Sequence, residues 1–151
     1  MQPNGNRARG EMDARSEIFF VYQTPNIAAL AALANTQNSI PFDQDSVFVW
    51  QKMAVFADIA GAAQTDSTRV LPLVTVLITD SGSSQGFSNA PVPLPSIMGD
   101  GRLPFVLPAP QLVKPNTTLQ FSYSSFAAAT IYANLRIQLI GIKRFISPGQ
   151  G

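Results

Sequence analysis

The chain has 151 residues and a mass of 16.2 kDa, which is length for one domain with an added arm and not for two. Hydrophobic residues make up 46% of it and charged residues 13%. That excludes a disordered chain and leaves a weakly solvated surface of Ser, Thr, Asn, Gln, Gly, Pro and Ala. Ten basic against nine acidic residues give a formal charge of +1, so no long-range field steers nucleic acid or an anionic membrane. There is no Cys and no His, which excludes Ser-His-Asp and Cys-His catalysis, Cys/His zinc sites, haem histidine, iron–sulfur ligation and disulfides.

Residues 1–17 hold Arg7, Arg9, Glu11, Asp13, Arg15 and Glu17 together with Pro3, Gly5 and Gly10. The segment reads as an extended arm without a core of its own, either a frayed tail or an arm that orders against a neighbouring subunit. Its polar opening has no hydrophobic region behind it, so it is not read as a secretory signal, and the chain is expected to be cytoplasmic when made. The longest apolar run, residues 27–34, falls far short of the ~20 residues a membrane span needs.

Ile18, Phe19, Phe20, Val21 and Tyr22 form a β-branched and aromatic run stopped by Thr24-Pro25-Asn26, the signature of a strand. Residues 27–34 are rich in Ala and Leu and fit a short helix that would need tertiary support; residues 35–39 fit a polar loop. Residues 47–56 read as a long strand bulged near Lys52. Residues 71–80 give the strongest strand pattern, with Pro72 at its start, and 81–86 supply turn chemistry for an antiparallel return.

Seven of the twelve prolines fall between Phe87 and Pro115. Such density opposes helix and central-strand pairing, so a long ordered loop of polyproline II and edge-strand character is expected. Residues 117–123 and 131–140 then alternate with period two. Leu119, Phe121 and Tyr123 share one side of the first strand, and Leu135, Ile137 and Leu139 share one side of the second. The two are expected to pair as a hairpin, the second extended by residues 141–145. The expected fold is therefore all-β: an antiparallel β-sandwich or jelly-roll-like barrel over 18–146, with an arm at 1–17 and a tail at 147–151.

Candidate chemistry is sparse. Asp43 and Asp45, beside Ser46, could point to one face and hold a Ca²⁺ or Mg²⁺, but the further oxygen ligands such a site needs are missing, and solvated carboxylates opening a strand are the simpler reading. Asp58 and Asp66 could act as acid and base only if the fold joined them. Gly99-Asp100-Gly101-Arg102 has no following helix and reads as a turn rather than a phosphate cradle. Arg7, Arg9 and Arg15 make a weak phosphate footprint. Lys143 and Arg144 read as charges guarding an exposed strand edge. Trp50, Tyr22, Tyr123 and Tyr132 either line a sugar-stacking platform or pack in the core. Asn116-Thr117-Thr118 matches a glycosylation acceptor that should stay unmodified without a signal peptide. No catalytic, cofactor-binding or metal-binding residue emerges, and the chain is not read as an enzyme.

One layout is familiar. The segments IPFDQDSVF (40–48), VTVLITDSGS (74–83), FSNAPVP (87–93), IMG (97–99) with Pro104, VKPNTTL (113–119) and LIGIKRF (139–145) follow one another in this order. Over about residues 18 to 146 the chain resembles a group of small tailed-bacteriophage virion proteins. The resemblance implies an all-β subunit of the virion, with capsid decoration ahead of a neck, collar or tail role. It also implies other virion proteins and further copies of the chain as partners, no specific nucleic acid, no membrane, and no cofactor or catalytic residue. A carbohydrate-binding receptor-recognition module and a carboxylate-based hydrolase are the competing readings.

Overall fold

The computed structural model describes residues 16–60, 69–100 and 102–146. The expected arm (but for Ser16 and Glu17), the expected tail, Asp66 and Gly101 lie outside the described residues. Ten strands are β1 (Glu17–Gln23), β2 (Ile27–Leu30), β3 (Asn35–Pro41), β4 (Ser46–Ile59), β5 (Val74–Asp80), β6 (Gln85–Gly86), β7 (Val92–Pro93), β8 (Phe105–Val113), β9 (Thr118–Ser125) and β10 (Tyr132–Phe145). One helical turn, α1 (Leu94–Ile97), precedes β8.

The protein is an antiparallel β-sandwich of two five-stranded sheets. Sheet A runs β1-β10-β4-β8, with β2 continuing the β1 side of β10; sheet B runs β3-β9-β5-β6, with β7 also on β5. Period-two patterning generates this arrangement, because each long strand buries one face. β9 buries Leu119, Phe121 and Tyr123, β10 buries Leu135, Ile137 and Leu139, and β4 adds Phe48 and Trp50 between them. Each such large apolar side chain contributes about 1.5–3 kcal/mol by leaving water.

Four expectations are corrected. Residues 35–39 are not a loop: they lie in β3, paired with β9 from Asn35↔Ser124 to Pro41↔Thr118. β9 and β10 do not form a hairpin: they belong to opposite sheets, and their buried faces meet across the core. Alternation shows which face is buried but not which strand lies alongside, and residues 126–131 are enough to bridge the ~10 Å between sheets. Residues 27–34 are not helical. Ile27, Ala29 and Leu30 pair with Leu135, Ala133 and Tyr132 of β10, and a turn follows in which Leu33 has φ 57°. The unpaired start of β10 overrides the helix preference of alanine. The proline-rich region does contain a helical turn, because Pro93 is its N-cap and Pro95 sits in its first turn, where no intrahelical N–H is needed. The same region also forms β7 and β8, both edge strands, as proline requires.

Two glycines are fixed by close backbone approach. The β4–β10 register shifts by one residue between Ile140↔Lys52 and Gly141↔Trp50, so the expected bulge near Lys52 is present. Gly141 lies so close to β4 there that a Cβ would sit 2.0 Å from the Val49 carbonyl oxygen. At Gly99 a Cβ would sit 1.7 Å from the Leu103 carbonyl oxygen, and the Gly99 carbonyl accepts from Val55 N–H at 2.9 Å.

Candidate assembly surface

Asp43 lies in the β3–β4 connection, where the chain passes from sheet B to sheet A. It accepts hydrogen bonds from the Lys143 ammonium and from the Tyr22 hydroxyl, the latter at 3.2 Å. Lys143 is 7% exposed, and its Nζ lies 4.1 Å from the centroid of Phe20. The guarding role expected of Lys143 is therefore overturned: β10 is an inner strand of sheet A, and Lys143 points into the sandwich. Arg144 points the other way and pairs with Glu17 at 2.8 Å.

The hydrogen bond from Lys143 holds the Asp43 carboxyl below its ordinary pKa, against the opposing effect of burial. Burial pulls the Lys143 ammonium down, but the hydrogen bond to Asp43 and the charges of Tyr22, Asp43 and Asp45 outweigh it and leave the net shift upward. Burial raises the Tyr22 phenol. Asp43 and Lys143 stay ionised, Tyr22 stays a neutral hydrogen-bond donor, and the three close one end of the sandwich. Asp45 is exposed, and among the described residues no group of three or more acidic side chains could hold a metal ion.

Asp58 is buried near the end of β4, opposite Arg69 in an isolated bridge. Asp100 Oδ1 accepts the backbone N–H groups of Arg102 and Leu103, both at 2.9 Å, so this glycine-containing segment is a turn. Those bonds hold the Asp100 carboxyl below its ordinary range. Asn116 has φ 62° in the turn before β9. Tyr22, Trp50, Tyr123 and Tyr132 are all buried, and none offers an open ring face for a sugar. Their polar ends are used internally: Trp50 Nε1 donates to the Lys52 carbonyl at 3.0 Å, the Tyr123 hydroxyl donates to Asn38 at 2.9 Å, and the Tyr132 hydroxyl accepts from Leu73 N–H at 2.8 Å. Trp50 and Phe87 also border an apolar cleft of about 370 Å³ between β8 and the β5 side of sheet B.

Several exposed apolar side chains lie elsewhere, on the outer face of sheet A. Register aligns Phe19, Ile142, Val49 and Leu112 in one row across four strands, and Val21, Ile140, Lys52 and Val106 in the next. Phe19 is 74% exposed, Leu112 65% and Val106 61%. Two shallow depressions, of about 440 and 410 Å³, mark the same face near Arg136 and near Lys52. No protein-family model matches the chain, and no curated protein does. Among the described residues, no helix is long and apolar enough to cross a membrane.

Sequence reasoning passed over this face because it followed the buried side of each strand. The signal was present all the same. Ile18 to Tyr22 is apolar at every position, and β10 ends its polar side on Ile140 and Ile142. Such strands have two faces to cover, and the sandwich covers one.

Proposed function

We propose that the protein is a structural subunit of a tailed-bacteriophage virion, a capsid decoration protein that stabilises the particle through contacts between subunits. The observation carrying this reading is the apolar outer face of sheet A, where Phe19, Val106 and Leu112 stand open on a chain with few surface charges. Exposed apolar side chains gathered on one face of a domain mark a contact site, and a face that spans four strands is suited to another protein rather than to a small substrate. The order of segments, which resembles that of small virion proteins, supports the same reading, with capsid, neck or tail subunits as the proposed partners.

Purified particles treated with tagged protein test it. Binding to the head is expected, with loss of binding when Leu112 and Val106 are both changed to Ser or when residues 1–15 are removed. Particles that bind the Leu112→Ser, Val106→Ser chain as well as the parent would overturn the assignment of this face. Binding at the neck or tail instead of the head would move the subunit to the second position on the virion. No binding to any part of the particle would end the virion reading.

A further inference from the structure

We infer that the outer edge of β1 is a self-association edge, on which a second copy of this chain pairs antiparallel through its own β1 and joins the two A sheets into one. This names the surface for the self-association expected above, but it does not depend on a virion.

The hydrogen-bond phase of β1 comes from its two ends. Phe145 N–H donates to the Ser16 carbonyl, and Thr24 N–H donates to the Ile137 carbonyl. Even-numbered residues of the strand thus direct their backbone groups at β10, and Glu17, Phe19, Val21 and Gln23 direct theirs away, as antiparallel alternation requires. Among the described residues, no strand lies on that side. Unpaired strand edges are templates for another strand, and folded proteins blunt them with proline, lysine or short length.

The other edges bear those features, or are polar. β8 carries Pro108 and Pro110, β6 and β7 are two residues each, and β2, beside β1 on β10, is four residues long. β3 presents Asn35, Thr36, Gln37, Asn38 and Ser39 and ends at Pro41. β1 alone combines seven residues, no proline, no lysine and an apolar side-chain set.

The occupant follows from what the chain has to offer. Residues 1–15, 61–68 and 147–151, which lie outside the described structure, are mostly polar or small, and the first of these segments alternates Arg7, Arg9, Glu11, Asp13 and Arg15. They lack side chains to cover Phe19 and Val21. A second β1 has them. In the two-fold register centred on Phe20, Phe19 meets Val21 of the other copy and Ile18 meets Tyr22. Glu17, the strand's one charged residue, meets Gln23, so no like charges oppose each other. All seven residues are then engaged, and the outward groups make about eight backbone hydrogen bonds. A seven-residue strand is only about 24 Å long, so the edge alone is small for a stable dimer. Ser16 of each copy lies beside Thr24 of the other, so the pairing uses the whole strand and a weak, concentration-dependent dimer is expected.

The test uses the full chain. Sedimentation velocity from low to high micromolar concentration is expected to show a monomer–dimer equilibrium. Val21→Pro removes an N–H that β10 does not use, so it should leave the fold intact and weaken the dimer by about tenfold or more. Should Val21→Pro disturb the fold, Phe19→Lys at the exposed neighbour gives the same readout. The chain has no cysteine, so single cysteines report register directly. Phe20→Cys should cross-link across the two-fold axis, where paired Cα atoms in the non-hydrogen-bonded position are about 4.5 Å apart. Ile18→Cys, although more exposed, should cross-link far more slowly. A monomer at all concentrations, a dimer unchanged in both edge variants, or Ile18→Cys linking as fast as Phe20→Cys would each overturn the inference. None of these outcomes bears on binding to particles.

Discussion

Lys143 and Asp43 form an ion pair in which the two charges are unequally placed: the ammonium is inside the sandwich at 7% exposure, and the carboxylate side chain is 51% exposed at its rim. Loss of the acid therefore costs more than loss of the base. Asp43→Asn leaves a buried ammonium without its counter-ion and is expected to destabilise by about 2 kcal/mol. Lys143→Met leaves a carboxylate that water already solvates and is expected to cost about 1 kcal/mol or less. Urea unfolding of the two variants measures the difference, and equal losses would count against this account.

The same group sets a pH window. Asp43 has a folded pKa below its unfolded value of about 3.9. Its contribution is present above that value and is lost as pH falls through the lower folded one. Tyr22 and Lys143 are raised, so their contributions are complete below about pH 10 and are lost as pH rises through their folded values. Stability should be level between about pH 5 and 9 and fall on both sides. Urea midpoints taken across pH check this, and Asp43→Asn should flatten the acid limb.

Gly141→Ala places a methyl group against the Val49 carbonyl, which belongs to the backbone of a central strand and cannot turn aside. The expected cost is about 3 kcal/mol or more. Thermal unfolding would show it, and an alanine variant as stable as the parent would mean that the bulge at Lys52 can shift register.

Thr24 is fully buried, and its Oγ1 accepts from the Ile137 N–H at 2.9 Å. Thr24→Val keeps the shape and removes the acceptor, leaving a buried N–H unpaired at the centre of β10. A loss of about 1–3 kcal/mol is expected, together with faster hydrogen exchange at Ile137. Thr24→Ser should retain most of the stability.

The positions and buried faces of the long alternating strands were legible because period-two alternation acts locally: Leu119 to Tyr123 and Leu135 to Leu139 could bury only one side each. β2 and β3 were not legible, because Ala-rich and Asn/Ser-rich segments become strands here only by pairing with β10 and β9. Partners were not legible, since β10 pairs with β1, β2 and β4 through residues up to 127 positions apart, as at Glu17 and Arg144. Lys143 illustrates the limit. As a sequence neighbour of Arg144 it resembles a surface charge, and only the turn that brings Asp43 back across the end of the sandwich makes its burial tolerable. For the aromatics, the buried alternative for Trp50, Tyr22, Tyr123 and Tyr132 proved correct, because each polar end finds an internal partner. Of the assembly surface, the sequence displayed the apolar residues but not the rows they form.

Sheet A has unlike margins: one side is bounded by Glu17–Gln23 and the other by Pro108 and Pro110. A ribbon that can lengthen in one direction only is complete after a single addition. Were a second copy to pair on β1, the prolines of β8 would act as a terminator for sheet A, allowing a finite pair while opposing the endless stacking that leads to fibres.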